Sequence, residues 1–401
     1  MRDRGAQKAT PQMGRTGAED PAGISDSTFA FRDSVRAFVN KEVLPRAADL
    51  DVHGEFPHAL FKRLAELGYL GLRYPEEVGG QGADFATCCV FYEELAAGSL
   101  SLAAIAAMQS LMGTHFVYRY GTDAQRREYL EPALRGEKIG TFALTEPEAG
   151  SDLGAIRTRA TRTGDGWRLR GSKTWITNAP VADFLTVGAK TSDERGLGNI
   201  ALFLLDARTP GFEVGKPIAK LGTRSSLTSE VHIDCELPAD ALLGAEGEGV
   251  KNVGGLLSEI RVMTAALAVG LSRRALADSA VYASERKAFG KPIAEHQLIT
   301  GKLGDMATQL QAARVMTYDA AGRIDGAENV TTLAAMTKLF ATEVCARIVD
   351  EATRVYGSYG FATEYPVQRY FRDARFLLSG GGTSEILINL IGRDVVKRGG
   401  W

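Results

Sequence analysis

The chain has 401 residues, 45% hydrophobic and 24% charged, with 47 Lys and Arg against 49 Asp and Glu and a net charge of -2. That length exceeds one ordinary core and predicts two or three packed units. So slight a net charge excludes a general field for nucleic acid or an anionic membrane, and no apolar run approaches the roughly 20 residues that span a bilayer; with no signal peptide, a cytoplasmic protein is expected.

Residues 1–25 mix Gly, Pro, Arg, Gln and Asp with few large apolar side chains, which predicts a disordered tail. From 26 to 140 the period is helical: Phe31, Val35, Phe38 and Val39 make one stripe, and Leu60, Leu64, Leu67 and Leu70 another. The Gly-rich loop from Tyr74 to Asp84 interrupts it before an apolar helix expected to run through Ala107. Between 141 and 245 the period drops toward two. Gly164-Asp165-Gly166 separates two alternating runs, and Phe184 to Ala189, Ile200 to Leu205 and Val231 to Ile233 read as further strands. No strand there leads through a Gly-rich turn into a helix, so a dinucleotide-binding βαβ unit is not expected. From 246 to 401 long helices return, with Leu256, Ile260, Met263 and Leu267 on one stripe and Met306, Leu310, Ala313 and Met316 on another. The expected class is α+β: an N-terminal all-α domain, a middle β domain and a C-terminal helical bundle.

Four cysteines, Cys88, Cys89, Cys235 and Cys345, lack metal-ligand spacing and read as buried thiols; the five histidines are scattered, and no metal is assigned. The chemistry is concentrated in ALTEPEAGSD, Ala143 to Asp152, and GSKTWITN, Gly171 to Asn178. Small residues around a Pro turn, short hydroxyls at Thr145 and Ser151, and a Trp-x-Thr strand at Trp175 and Thr177 suit a flat aromatic cofactor. Backbone amides and hydroxyls can meet ring carbonyls and a pyrophosphate while an indole lies against the ring face.

Both stretches resemble the flavin-binding signature of the acyl-CoA dehydrogenase family, and the resemblance extends over nearly the whole chain after the tail. It implies non-covalent FAD, with Phe142, Leu144 and Thr145 along the ring edge, Gly150 and Ser151 toward the pyrophosphate, and Trp175 and Thr177 flanking the reactive side. SERKAFGKPIAEHQ, Ser284 to Gln297, resembles the segment that crosses a subunit interface, so that Arg286, Phe289 and Gln297 would reach the partner's FAD. This implies a homo-oligomer, a dimer of dimers. In the segment from Tyr356 to Arg375 the opening Gly357 would lie against the pyrophosphate, but Arg354 stands where a Gln is usual and Ser358 where a Gly is usual. Thr383 and Glu385 complete the implied cofactor set.

The departure follows in FLLSGGGTSE, Phe376 to Glu385. Most of the family places a catalytic Glu immediately before Gly-Thr-Ser, where its carboxylate removes the proton α to the thioester carbonyl. Gly381 holds that position. A minority places the base on the helix from Val250 to Ser272, just before an Arg matched here by Arg261, yet the preceding residue is Ile260. Glu259 is one residue off, about 100° around the helix; it reads first as a solvent-facing or ion-pairing carboxylate and only then as a base. With Arg261 and Gly381 as substrate residues, three functions follow. One is α,β-desaturation of an acyl thioester, on coenzyme A or a carrier protein, with non-standard base chemistry. Another is a decarboxylating dehydrogenase or monooxygenase acting on a β-keto acid, in which loss of CO2 makes the enolate and no base is needed. The third is a non-catalytic subunit.

Overall fold

The computed structural model describes residues 26–192 and 198–400, so the expected tail lies outside the described residues. The first helical unit comprises α1 (Asp26–Phe38), α2 (Ala47–His53), α3 (His58–Glu66), α4 (Phe85–Gly98), α5 (Leu100–Ala107), α6 (His115–Tyr120), α7 (Asp123–Gln125) and α8 (Glu131–Leu134). The apolar stripes face inward: Val35, Phe38, Val39, Leu60, Leu64 and Leu70 are buried. The single helix expected through Ala107 is two helices, α4 and α5. Ser99 between them is extended (φ -155°, ψ 114°), and its hydroxyl accepts from the Leu102 amide at 3.3 Å, an N-cap that starts α5 afresh.

The middle of the chain forms one sheet from β1 (Gly140–Ala143), β2 (Arg159–Thr163), β3 (Gly166–Thr177), β4 (Phe184–Lys190), β5 (Ile200–Asp206), β6 (Phe212–Pro217), β7 (Thr228–Pro238) and β8 (Leu242–Leu243). The order is β6-β7-β3-β2-β4-β5-β8, with β1 laid parallel on β4. Alternation along β3 and β7 buries Trp167, Leu169, Val231, Ile233 and Cys235 in a core of the sheet's own.

The closing unit holds α9 (Gly249–Glu285), a two-stranded hairpin β9 (Lys287–Ala288) and β10 (Lys291–Pro292), then α10 (Gln297–Asp325), α11 (Thr331–Tyr356), α12 (Val367–Ser379) and α13 (Ser384–Arg398). Helices α9 to α12 pack as a bundle, and α13 adds to α11. The expectation that no segment is apolar enough to span a bilayer needs correcting. Leu100–Tyr120 and Gly249–Glu285 are long and apolar enough by composition, and 89% and 72% of their most apolar stretches is buried inside the fold. They cross the protein's own core, where α9 packs on α4. A Cβ at Gly270 of α9 would lie 2.1 Å from the Glu93 carbonyl oxygen, so only glycine permits that approach. The joint is also ionic: buried Glu93 and Glu94 of α4 meet Arg314 of α10 at 3.2 Å, Arg273 of α9 at 3.2 and 2.8 Å, and Arg36 of α1 at 2.8 Å. All four cysteines are buried free thiols.

Candidate active site

The two signature stretches meet edge to edge. The Thr174 amide donates to the Thr145 carbonyl at 2.9 Å, and the Thr141 hydroxyl donates to the Thr177 carbonyl at 2.5 Å, fixing Phe142, Leu144 and Thr145 beside the end of β3. Beneath the strip Lys173 is fully buried. Its ammonium donates to the Leu144 carbonyl at 3.0 Å and to Glu146 Oε1 at 2.8 Å, while Glu146 also accepts from the Arg157 and Thr158 amides and the Thr158 hydroxyl. Burial pushes the Lys173 pKa down to about 8 against the pull of Glu146; burial works the other way on Glu146, but Lys173 and these hydrogen bonds hold its carboxyl below the usual range.

Above this anchor the ladder between β3 and β7 shifts register between Lys173 and Ile176, and Trp175 takes φ +60° with its indole 59% exposed. A left-handed backbone under a bulky aromatic costs about 1–3 kcal/mol and marks functional sites. Thr145 and Thr177 are half-buried beside it, Gly150 and Ser151 are exposed, and the nearest atom to a Cβ on Gly150 would be 3.9 Å away. An outward indole, short hydroxyls and a turn without bulk fit a flat ring system with a pyrophosphate tail.

Gly381 lies in the turn between α12 and α13 at φ +73°, followed by Gly382 at φ +107°. A Cβ built on Gly381 would stand 3.5 Å from both Ile260 Cγ2 and Thr264 Oγ1 of α9. The two positions at which the family carries its base therefore face one another, and neither holds an acid or a base. The turn is held from behind by Lys338 of α11, fully buried, which donates to the Leu378 carbonyl at 3.1 Å and the Gly382 carbonyl at 2.8 Å. Burial lowers its pKa to about 8, Glu343 opposes this, and Arg261 lowers it further. Arg261 is itself buried, and its Nε has no hydrogen-bond partner among the described residues. Glu259 turns away from Gly381 and pairs with Arg73 at 2.5 Å; burial raises its pKa while Arg73 opposes the rise.

Of the remaining sequence-derived residues, Arg286, Phe289, Gln297, Arg354 and Gly357 lie away from the Gly381 turn, whereas Thr383 and Glu385 follow it directly. Phe289 (φ +53°) and Gly290 (φ +82°) make the two-residue turn of the β9–β10 hairpin, leaving the Phe289 ring 95% exposed. The Arg286 guanidinium lies 5.5 Å from the Tyr359 ring centroid, next to Gly357 (φ +60°), while Gln297 opens α10 in solvent. Arg354 pairs with Asp350 at 2.8 Å on its own helix. Thr383 caps α13 by accepting from the Ile386 amide, and Glu385 is exposed in its first turn. Sequence reasoning missed Lys173, Glu146, Lys338, Thr264 and Arg73. A lysine on an inward-facing position of β3 was a usable signal for the first; Arg73 offered none.

The family model "Acyl-CoA dehydrogenase, N-terminal domain" matches residues 25–137, the middle-domain model 141–235 and the C-terminal-domain model 247–396. Benzylmalonyl-CoA dehydrogenase of Aromatoleum aromaticum is 48% identical over 374 residues, 93% of this chain and 98% of that protein. The 3-(aryl)acrylate reductase of Clostridium sporogenes is 37% identical over 92% of this chain and 98% of its own length. The structure of butyryl-CoA dehydrogenase from Megasphaera elsdenii superposes with a TM-score of 0.90 at 35% identity, covering 93% of this chain and 99% of that one.

Proposed function

Because the chain belongs to the acyl-CoA dehydrogenase family and is thus a flavin-dependent oxidoreductase that uses FAD, we propose that it oxidises an acyl thioester carrying a carboxylate on the α-carbon, with release of CO2. The observation that carries this reading is Gly381, an open position facing Ile260 where a basic carboxylate would otherwise stand, beside a buried Arg261 with a free Nε. A relative named for a benzylmalonyl thioester, which by its chemistry bears such a carboxylate, supports the substrate class.

The FAD would be held by Phe142, Leu144, Thr145, Gly150, Ser151, Trp175 and Thr177, with Arg286, Phe289, Gln297 and Gly357 serving the cofactor of a second copy in a homodimer or homotetramer. Bound FAD supplies the two-electron acceptor that takes the β-hydrogen with its electron pair. Gly381 leaves room for the substrate carboxylate, and Arg261 orients it through a charge-assisted hydrogen bond. The apolar wall at Ile260 withholds solvation from that carboxylate, favouring cleavage of the bond from the α-carbon to the carboxyl carbon, in which the charge disperses into an enolate. Neither position 381 nor position 260 offers a proton donor, so the enolate is not quenched at the α-carbon before the β-hydrogen leaves. Substrate R-CH2-CH(COO⁻)-CO-S-carrier gives R-CH=CH-CO-S-carrier, CO2 and a hydride equivalent, which bound FAD would accept.

Anaerobic mixing of the FAD-loaded protein with benzylmalonyl-CoA and, separately, with 3-phenylpropionyl-CoA tests the proposal. Flavin bleaching with one CO2 per flavin is expected from the first, and bleaching slower by roughly 10²-fold or more from the second, since an uncatalysed proton removal forfeits the usual contribution of a general base. Comparable bleaching by both with no CO2 would return the function to simple α,β-desaturation.

A further inference from the structure

A second group of ionisable residues, where α9 meets the loop before α4, takes no part in the chemistry above. Arg73, in the loop between α3 and α4, lies with Nη2 2.5 Å from Glu259 Oε2. Each side chain keeps about a fifth of its surface accessible, 18% and 20%. Arg73 Nη1 is buried without a hydrogen-bond partner among the described residues, and so is His115 Nδ1. Burial, with the charges of Arg73 and Arg119, pushes the His115 pKa down to about 3, so the imidazole is neutral.

One adjacency in sequence and one chain of ring contacts relate this group to the site. Glu259 is the neighbour on α9 of Ile260, which faces Gly381. The His115 ring meets Phe116 edge-on at 5.3 Å, and Phe116 stacks on Phe142 of the ring strip at 5.1 Å. A carrier the size of coenzyme A has to remain near the surface, so atoms as buried as Arg73 Nη1 and His115 Nδ1 are within reach only of the far end of the acyl group. Hydrocarbon there would leave a buried ion pair beside unsatisfied polar atoms, the arrangement proteins avoid.

We propose that Arg73, Glu259 and His115 form a specificity subsite for an acyl group ending in an aromatic ring that bears a hydroxyl. A hydroxyl oxygen accepts from Arg73 Nη1 and its hydrogen goes to His115 Nδ1, in the tautomer protonated at Nε2, so one group satisfies both free atoms. A carboxylate at that place would face Glu259 and the imidazole lone pair, and an ammonium would face Arg73. The half-buried rings of Phe142 and Tyr118 supply aromatic surface, backed by the buried rings of Phe116 and Tyr74, Tyr74 meeting Tyr118 at 5.2 Å. The inference rests on the acyl-thioester reading of the site but not on loss of CO2.

The test is calorimetric titration of the FAD-loaded protein with cinnamoyl-CoA and its ortho-, meta- and para-hydroxy analogues, since binding an enoyl product needs no decarboxylation. One hydroxylated isomer is expected to bind about 10- to 100-fold more tightly than cinnamoyl-CoA, the span of a hydrogen bond to a charged group. That advantage should vanish both in the paired replacement Arg73→Met with Glu259→Met, which avoids stranding one charge, and in His115→Phe. Wild type that favours no hydroxylated isomer, or an advantage that survives in either variant, overturns the subsite. If the paired replacement does not fold, His115→Phe decides alone. CO2 release from benzylmalonyl-CoA is scored separately, so failure of the decarboxylation reading and failure of the subsite remain distinguishable.

Discussion

At Gly381 the backbone and the electrostatics argue in the same direction. A side chain at φ +73° costs about 1–2 kcal/mol, although the Cβ itself has ordinary contacts at 3.5 Å. Gly381→Ala carries that strain without charge and is expected to lose no more than roughly tenfold in turnover. Gly381→Glu adds an anion against the substrate carboxylate; at about 4 Å and an effective dielectric near 20 that is roughly 4 kcal/mol, so a loss of several hundred-fold on an α-carboxylated thioester is expected, less whatever protonation relieves. Flavin reduction and CO2 release measured for wild type and both variants check this. A glutamate variant that instead gains desaturase activity on 3-phenylpropionyl-CoA, while wild type releases no CO2, makes the glycine a simple loss. Gly381, Arg261 and Glu259 were legible in sequence because each stands at a fixed offset from a local motif. The pairing of Glu259 with Arg73 was not, since it joins α9 to a loop of the first helical unit and leaves no periodic trace in either.

Among the elements, long helices and alternating strands were readable because apolar period follows geometry directly. The break at Ser99 was missed although Gly98-Ser99 is its local signal, because the mainly apolar run resumes at once in α5; packing reinforces it, since a Cβ at Gly98 would lie 2.5 Å from Val39 Cγ1, just after α1. The anchor beneath β1 and β3 shows a similar limit, as Lys173 lay inside a recognised motif while its bond to Glu146 depended on two strands meeting. Lys173→Met strands Glu146 and the Leu144 carbonyl, at a cost of about 3–5 kcal/mol, whereas Lys173→Met with Glu146→Gln should cost less. Chemical denaturation and FAD retention of both variants check this, and a single variant as stable as the double would mean that the pair does not hold the strip. The sign of the pH effect follows from the Lys173 pKa near 8, below the unfolded value of 10.5. Between those values the unfolded chain binds the extra proton, so this residue's contribution makes folding more favourable as pH rises from about 8 to 10.5, and Lys173→Met removes that rise.

Over the whole molecule, several large apolar side chains are exposed around the β9–β10 hairpin and the Gly357 turn. Phe289 is 95% exposed, Phe361 93% and Leu298 84%, and they stand around Arg286, Tyr359 and the Gly357 turn. Exposed aromatic and aliphatic side chains with an arginine among them match the composition of an interface core. The backbone supports the same conclusion, because a phenylalanine at φ +53° in a two-residue turn accepts strain to point its ring outward. If a second copy covers this end and contributes its ring strip, then the assembly and FAD occupancy are one equilibrium, and FAD at 100 times its dissociation constant adds about 2.7 kcal/mol to the folded assembly. Phe289→Asp is therefore expected to yield a smaller species in light scattering that has lost its yellow colour, and Arg286→Ala an intact oligomer that releases FAD more readily on dilution. The two variants separate the apolar from the electrostatic part of the contact. A monomeric wild type that holds FAD one to one would show that the strip of Thr145, Trp175 and Thr177 binds its cofactor unaided, and the exposed rings of Phe289 and Phe361 would then need another explanation.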